Sequence, residues 1–373
     1  MREDMNLTYD PAYEAVAPDD FPAMLAPERY GKRSSAFDKI ISATNDHFWD
    51  PMNPKYVDFS KPFDVEKTLI MPEETIIEFK CGVADKVAPR DRVKFGNLIN
   101  HQMLSGLLHG EQAATNLSAS LCHILLDPGA QEYASNQCRE EARHVAGFTN
   151  YLMSRFGYIR PAGGEVRRLL TELVLTPIVW KKLVGMQMVL EGIAMGSFAS
   201  IFRNTQDPVM RTMIQFVMTD EAFHHKFGKI WADKTIPHLP EEERILIEDW
   251  AWSVFQSLMA NLNSPELKRD IYIQFGLDWR WVEERFAEAM QDAISRKSLN
   301  KSNSVYRTFV KTLLKAGIIT DRTAPNYAAL VDMEGLRSEA DGTVGDAIAD
   351  EGIRHLREIN KTGGSFVSVN AAE

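Results

Sequence analysis

The order of apolar and polar positions predicts a chain made mainly of long helices. Between residue 66 and about residue 300, strand-like alternation is weak and helix-forming residues such as Leu, Ala, Met and Glu are abundant. Breaks rich in Pro and Gly divide this region into four long segments and several shorter ones. The long helices are predicted over 92–126, 130–156, 177–203 and 207–235. Shorter helices are predicted over 241–262, 279–297 and 303–316.

The two ends of the chain differ in composition from this helical middle. Residues 1–65 contain recurrent prolines with aromatic residues between them, which predicts an N-terminal arm that docks on a larger body. Residues 66–300 are assigned to one helical domain. Residues 301–373 are predicted to form a C-terminal helix and a partly mobile tail, because the last stretch is richer in Gly, Ser, Asp and Thr.

Two predicted helices carry nearly the same acidic motif. Residues 140–144 read Glu-Glu-Ala-Arg-His, and residues 220–224 read Asp-Glu-Ala-Phe-His. A Glu and a His three residues apart lie on one helix face, about one turn apart, so both side chains can hold one metal ion. A single copy would be weak evidence, because such pairs are common on solvated helix faces. Two copies, each preceded by a second acid, favour a metal site.

The other two long helices each contain one carboxylate. Glu111 is the only acid of segment 92–126, and Glu191 is the only acid of segment 177–203. A lone carboxylate in an apolar helix is costly to bury unless it is paired or binds a metal. Glu141 follows Glu111 by 141 − 111 = 30 residues, and Glu221 follows Glu191 by 221 − 191 = 30 residues. The spacing predicts two similar helical hairpins with their carboxylates at matching depth.

This pattern resembles the ferritin-like non-haem di-iron carboxylate proteins. They include bacterial multicomponent monooxygenases, ribonucleotide reductase small subunits, acyl-carrier-protein desaturases and arylamine N-oxygenases. The resemblance covers about residues 90–235 and implies an all-α, ferritin-like four-helix bundle with additional N- and C-terminal helices. It implies six metal ligands, namely Glu111, Glu141, His144, Glu191, Glu221 and His224. It also implies that Asp220, with Glu140 in the equivalent place, orients a ligand histidine.

At a few positions this sequence differs from individual members of the family, and these differences argue against particular functions. Phe148 stands where radical-bearing reductase subunits have a tyrosine. Ala194 and Met195 stand where some oxygenases and desaturases have a threonine, and Val217 stands where arylamine N-oxygenases have a seventh ligand. These differences argue against a stable tyrosyl radical at position 148 and against a role for a threonine hydroxyl in oxygen activation. They also argue against a metal site with seven ligands.

An apolar substrate cavity is expected beside the metal, and no catalytic side chain is expected beyond the metal ligands. Methionines and aromatic residues near the ligands are compatible with an adaptable pocket, although the same spacing also suits core packing. The predicted lining is Leu107, Leu108, Thr115, Phe148, Met188, Ala194, Met195 and Phe198.

Composition and charge restrict the partners and the compartment. The 373 residues carry a net charge of −10, with 25% charged and 45% hydrophobic residues. This balance is typical of a soluble protein and argues against binding to nucleic acid or an anionic membrane. The most apolar stretch, 169–201, is interrupted by charged residues, so no membrane span is expected. Three cysteines without C-x-x-C spacing predict free thiols in the cytoplasm.

The expected activity is therefore that of an O2-dependent di-iron oxidoreductase. The preferred hypothesis is a monooxygenase that hydroxylates or N-oxygenates a small or medium apolar substrate, free or carrier-bound. Two Fe ions, O2 and an external electron donor, a ferredoxin or a reductase, are the implied cofactors and partners; Mn suits the same donors. Acyl-chain desaturation and non-catalytic ferritin-like iron binding are the alternatives, and a homodimer is compatible with the acidic surface and long helices.

Overall fold

The computed structural model describes residues 13–17, 20–261, 264–295, 305–342 and 345–361. Within these residues the chain is helical and has no strand; extended backbone pairs only in an isolated bridge between Ala15 and Leu125. The α-helices are α1 (Phe21–Met24), α2 (Pro27–Tyr30), α3 (Asp38–Thr44), α4 (Ile77–Lys80), α5 (Arg92–Ile124), α6 (Pro128–Phe156), α7 (Gly164–Leu175), α8 (Val179–Leu183), α9 (Glu191–Asn204), α10 (Pro208–Thr235), α11 (Glu241–Asn261), α12 (Arg269–Gln274), α13 (Trp279–Ser295), α14 (Val305–Lys315), α15 (Ala324–Ala328), α16 (Met333–Ser338) and α17 (Asp346–Lys361). A π-helical segment, Val184–Leu190, joins α8 to α9 without a break. Short 3-10 helices are Ser35–Phe37, Glu73–Thr75, Val83–Lys86, Pro89–Asp91, Ile236–His238 and Pro265–Lys268.

The all-α prediction is confirmed, and the four long segments end within two residues of their predicted limits. The structure adds the π-helical segment, α7 and α17, which the pattern did not predict. The stretch expected to be partly mobile, about 318–373, contains α15, α16 and α17 among the described residues. Residues 343–344 and 362–373 of this stretch lie outside the described residues, as do residues 1–12 and 18–19 of the arm.

An Asp-Pro pair begins the second helix of each hairpin. The Asp127 carboxylate accepts a hydrogen bond from the Gly129 amide at 2.8 Å, and the Asp207 carboxylate accepts one from the Val209 amide at 2.9 Å. An aspartate before the first turn satisfies an unpaired helix N–H, and a proline at the first helical position needs no partner. α6 and α10 therefore begin in the same way, which sets the depth of the residues that follow in each helix.

The long helices do not contact one another equally. α5 packs along α6, α9 packs along α10, and α10 also contacts α6. Contact between α5 and α9 is sparse by comparison. On its other side α9 is covered by α14, where a methyl group added at Gly196 would come within 3.1 Å of the Val305 Cα. Among neighbouring long helices, α5 and α9 are thus the pair that pack least closely against each other.

The described part of the N-terminal arm packs on the helices through its aromatic side chains. Tyr13, Phe37, Trp49 and Tyr56 are all buried. The Tyr56 hydroxyl donates to the Asn360 side chain on α17 at 2.6 Å. The arm is therefore held between the long helices and the C-terminal helix α17.

One helix is long and apolar enough to cross a membrane by length and composition. It is Val179–Asn204, and 72% of its most apolar window is buried inside the protein. Burial of this kind is expected of a core helix, so membrane insertion is not indicated.

We expect Asp207→Asn to lower the free energy of unfolding by about 3 kcal/mol. Asp207 is fully buried and accepts hydrogen bonds from Arg155 Nε at 2.7 Å and the Tyr151 hydroxyl at 2.9 Å. Asparagine keeps the size and the helix cap but leaves the buried guanidinium without its counter-charge. Urea denaturation gives the value.

The matched control is Asp332→Asn, because Asp332 caps α16 from an exposed position. This substitution should change stability by no more than about 0.5 kcal/mol. Equal losses in the two variants would show that the buried ion pair contributes nothing beyond the cap.

Candidate metal centre

The six predicted ligands come together between α5, α6, α9 and α10. All six are buried, and none is more than 5% exposed. Their donor atoms form two groups in which every atom lies within 4.8 Å of the others. The first group is Glu111, Glu141, His144 and Glu221. The second group is Glu141, Glu191, Glu221 and His224.

His144 presents its Nδ1 atom to the first group. This nitrogen lies 3.2 Å from Glu111 Oε2, 3.3 Å from Glu141 Oε2 and 3.2 Å from Glu221 Oε1. Carboxylates from three different helices therefore surround one imidazole nitrogen.

His224 presents its Nδ1 atom to the second group in the same manner. The nitrogen lies 3.1 Å from Glu141 Oε1, 3.2 Å from Glu221 Oε2 and 3.8 Å from Glu191 Oε1. Glu141 and Glu221 thus direct one oxygen to each histidine, whereas Glu111 and Glu191 each belong to one group. Two shared and two terminal carboxylates give the site an approximate two-fold symmetry.

The second nitrogen of each imidazole is held by an acid from the opposite hairpin. His144 Nε2 lies 2.9 Å from Asp220 Oδ2, and His224 Nε2 lies 2.9 Å from Glu140 Oε2. A hydrogen bond at one ring nitrogen fixes the ring orientation and leaves the other free to bind a cation. The structure thus places Asp220 and Glu140 where the resemblance implied and adds that they act across the bundle.

Three further side chains surround these outer acids. Trp49 Nε1 donates to Asp220 at 2.9 Å, and Arg143 donates to Asp220 at 2.9 Å. His47 Nε2 lies 3.3 Å from Glu140 and 3.4 Å from Asp220. His47, Glu140 and Asp220 could together hold an ion, but the adjacent Arg143 guanidinium already pairs with both carboxylates and offsets one of their two negative charges.

These side chains were not predicted from the sequence. His47 and Trp49 belong to the irregular arm, where no periodicity marks a residue as facing the site. Arg143 lies inside the repeated motif, and its place in that motif could have identified it from the sequence.

Two glutamines brace the second group from the side. Gln137 Nε2 donates to Glu191 at 2.9 Å and to Glu141 at 3.2 Å, and Gln187 Nε2 donates to Gln137 at 2.9 Å. Gln187 belongs to the π-helical segment. This segment approaches α10 so closely that a Cβ atom added at Gly228 would lie 2.6 Å from the Gln187 Cβ. Gln137 precedes Glu141 by one helical turn, so the sequence contained a signal for it that was not used.

Burial makes the terminal carboxylates hard to ionise. The pKa values of Glu111 and Glu191 are raised well above the usual range, first by burial and then by the neighbouring carboxylates. Both groups therefore tend to keep a proton when no cation is near.

The shared carboxylates and the histidines shift in the opposite sense. Burial raises the pKa of Glu141, but the charges and hydrogen bonds of the two imidazoles outweigh it and lower the value. Burial and the Glu141 charge raise the pKa of Glu221, but a hydrogen bond from Glu191, together with the two imidazoles, lowers it below the usual value. Burial opposes the charged form of both rings, but the hydrogen bond to Asp220 and those to the ligand carboxylates raise the pKa of His144 well above the usual value. The charges of Glu141 and Glu221 and the hydrogen bond to Glu140 do the same for His224. Without a metal, the imidazolium rings are the cations that balance this cluster.

The donor set fits a metal cation. Four carboxylates and two imidazoles converge without a Lys or Arg among them, and one buried oxygen, Glu141 Oε2, lacks a hydrogen-bond donor. Oxygen and imidazole ligands suit Fe(II) or Mn(II), whereas thiolate ligands would favour structural zinc. The site is therefore able to hold a metal ion, and its two groups offer two positions.

The residues predicted to line a substrate cavity lie in two parts of the core. Phe148 and Phe198 contact each other with ring centroids 5.8 Å apart, in the cluster that also contains Leu108 and Met195. Met188 belongs to the other cluster. The remaining three, Leu107, Thr115 and Ala194, are half-buried. None of the eight lines the cavity beside Tyr13 and Trp231 or the cavity beside Phe255 and Tyr306, and the substrate pocket stays a prediction.

Glu141→Gln is expected to lose more than half of the bound metal, because Glu141 contributes an oxygen to both groups. Glu111→Gln should lose less, because Glu111 belongs to one group only. Anaerobic loading with Fe(II), desalting and elemental analysis give the metal content per chain.

Glu132→Gln is the matched control, since Glu132 lies exposed on the same helix and pairs with Arg33. It should bind metal as the wild type does. Full metal content in Glu141→Gln would refute the shared-ligand assignment.

Asp220→Asn should weaken metal binding by about tenfold or more, because the amide no longer holds His144 as a carboxylate does. Competition with a chromophoric chelator measures the affinity. Asp233→Asn changes an exposed aspartate of the same helix that pairs with Lys229, and it should leave the affinity unchanged. Equal affinity in the two variants would mean that Asp220 does not position the ligand.

Comparisons with protein family models, with curated proteins and with solved structures find no match for this chain. The arrangement of its own residues therefore carries the functional argument.

Proposed function

We propose that this protein is an O2-dependent di-iron oxidoreductase with a ferritin-like four-helix bundle. The preferred reaction is monooxygenation, at carbon or at an amine nitrogen, of a small or medium apolar substrate. The observation that carries the proposal is the pair of Glu-x-x-His motifs whose glutamates, Glu141 and Glu221, each contact both histidines within a buried helical site.

The connectivity supports the bundle. α5 and α6 form one hairpin, and the continuous helix Val179–Asn204 forms a second hairpin with α10. The segment between the hairpins contains α7 and is the longest connection among these helices. Two hairpins joined by one long crossover are typical of ferritin-like bundles.

The donor set assigns one residue pair to each metal. Glu111 and His144 would help to hold one iron and Glu191 and His224 the other, and Glu141 and Glu221 would be available to both. Two bound Fe(II) ions would supply electrons for the reduction of O2, and a ferredoxin or a reductase would return them.

The chain's own residues orient and shield this centre. Asp220 and Glu140 fix the imidazole rings, and the Gln137 amide holds Glu191 and Glu141 in place. Burial of all six ligands excludes water, which strengthens every electrostatic interaction within the site.

One side of the centre is suited to entry of O2 and substrate. Glu111 and Glu191 are the most exposed ligands, at 5% and 3%, and they lie on α5 and α9, which have little mutual contact. Half-buried Leu107 and Ala194 lie near this seam, each about one turn from a ligand along its helix. Both of these residues are apolar, which favours an apolar substrate.

The described part of the chain also agrees with a reducing compartment. Its three cysteines, Cys81, Cys122 and Cys138, are free. We place the protein in the cytoplasm on this ground.

A single turnover tests the proposal. Protein loaded with Fe(II) is mixed with ¹⁸O2 and candidate apolar substrates, and product masses are read. We expect a product that gains labelled oxygen, and we expect none with His224→Ala, which removes one imidazole ligand.

Other outcomes separate the alternatives. A product that has lost two hydrogens and gained no oxygen would indicate a desaturase. Iron oxidation without any organic product, across aliphatic, aromatic and carrier-bound substrates, would indicate non-catalytic iron binding and would overturn the proposal.

A further inference from the structure

We propose that Asn360, on the C-terminal helix α17, is a positioning residue for the metal centre. It acts at a distance, through a loop of the N-terminal arm that begins between His47 and Trp49. The inference rests on the proposed function only in requiring that the six buried ligands bind metal. It gives α17, which supplies no ligand, a part in orienting the two imidazoles.

The stretch of the arm beside the site has no regular structure of its own. Residues 47–50 form neither helix nor strand. Two carbonyl groups of this stretch are held by side chains instead. The Phe48 carbonyl accepts a hydrogen bond from Asn360 Nδ2 at 2.9 Å, and the Trp49 carbonyl accepts one from Arg143 at 3.5 Å. The conformation of the stretch therefore depends on such side-chain contacts rather than on a backbone ladder.

Asn360 joins the two ends of the loop formed by residues 48–56. Its Oδ1 atom accepts a hydrogen bond from the Tyr56 hydroxyl at 2.6 Å, while its Nδ2 atom donates to the Phe48 carbonyl. The Tyr56 ring also lies edge-on to the Phe48 ring, with centroids 6.2 Å apart. One amide thus closes the loop with both of its polar atoms, and closure restricts the residues at the loop ends.

The closed loop fixes the two arm residues that contact the outer acids. Phe48 lies directly between them in the chain. Trp49 Nε1 donates to Asp220 at 2.9 Å, and His47 Nε2 lies 3.3 Å from Glu140. Both rings are fully buried. Because Phe48 is bonded to both residues, a shift of its backbone moves both rings relative to the outer acids.

The outer acids pass this constraint on to the ligands. Asp220 holds Nε2 of His144 and Glu140 holds Nε2 of His224, each at 2.9 Å. Loss of a residue that holds a ligand in this way typically weakens metal binding by about 10- to 100-fold. Asn360 stands further out along the same chain of contacts, so its loss should have a smaller effect in the same direction.

The rest of α17 stays docked without the Asn360 amide. The helix packs along α10, and its side chains Ile348 and Leu356 are buried. Arg357 also pairs with Asp46 of the arm, but both side chains are exposed, and surface ion pairs contribute little. Loss of the Asn360 amide should therefore release the loop and leave the helix in place.

Metal binding by the full-length protein tests the inference. Co(II) is the probe, because oxygen and imidazole ligands suit it and its visible absorption reports the ligand geometry. We expect Asn360→Ala to weaken Co(II) binding by about three- to tenfold and to change the visible bands of the saturated protein. Tyr56→Phe removes one of the two hydrogen bonds and should produce a smaller change in the same direction.

Two controls separate positioning from loss of stability. Glu358→Gln changes an exposed residue of α17 that pairs with Lys361, and it should leave the affinity and the spectrum unchanged. Asp207→Asn breaks a buried ion pair with Arg155 rather than a contact of the loop. It should lower stability but keep the wild-type spectrum in protein saturated with Co(II).

A double-mutant cycle identifies the route by which Asn360 acts. With His47→Ala and Trp49→Phe combined, the contacts of the arm with the outer acids are lost. Asn360→Ala should then cause no further loss of Co(II) affinity, because coupled residues are not additive. Tyr56→Phe gives a second, milder cycle, in which Asn360→Ala should weaken binding less than it does in the wild type.

The outcomes separate this inference from the proposed function. Wild-type affinity and spectrum in Asn360→Ala would overturn the inference, even where O2-dependent product formation persists. Additive losses in both cycles, or the same spectral change in Asp207→Asn, would also overturn it, since Asn360 would then act through stability or another path. A wild-type protein that binds no Co(II) would overturn both the inference and the proposed function. A selective, non-additive loss in a protein that yields no organic product would support the positioning role while refuting the monooxygenase.

Discussion

Four carboxylates buried at one depth between α5, α6, α9 and α10 form the constraint on which the rest of the structure depends. An ionised group in a protein interior costs several kcal/mol unless an opposite charge and hydrogen bonds compensate it. Here the compensation comes from two imidazoles and from the capacity to bind cations. The helices around this point can remain apolar because the charge is concentrated and balanced in one place.

The outer acids, Asp220 and Glu140, connect the charge balance of the site to the packing of α6 against α10. His144 on α6 is held by Asp220 on α10, and His224 on α10 is held by Glu140 on α6. A shift between α6 and α10 would therefore misplace both imidazoles together. Trp49 and Arg143 complete the hydrogen bonds of Asp220, so the arm contributes to the orientation of a ligand without touching the metal position.

The helices and the ligand set could be predicted because their signals are local. A period near 3.6 with Asp-Pro and Gly breaks marks the helices, and two repeated motifs with lone acids 30 residues earlier mark the ligands. The π-helical segment Val184–Leu190 has no such signal. Its widened turn is accommodated where Gly228 lets α10 approach Gln187, and that contact exists only in the folded protein. The helix α17 was also missed, although Gly352 packs it against Thr219 beside the site.

The sequence by itself determined the fold class, the four long helices and the six residues able to hold metal, because each depends on spacing within a helix. Only the tertiary structure decided how those residues share their contacts. That Glu141 and Glu221 face both histidines, that the outer acids act across the hairpins, and that Trp49 and Gln137 reach the site all depend on distances between segments far apart in the chain. Such distances are set by packing of side chains from several elements at once, and no periodicity along one segment encodes them.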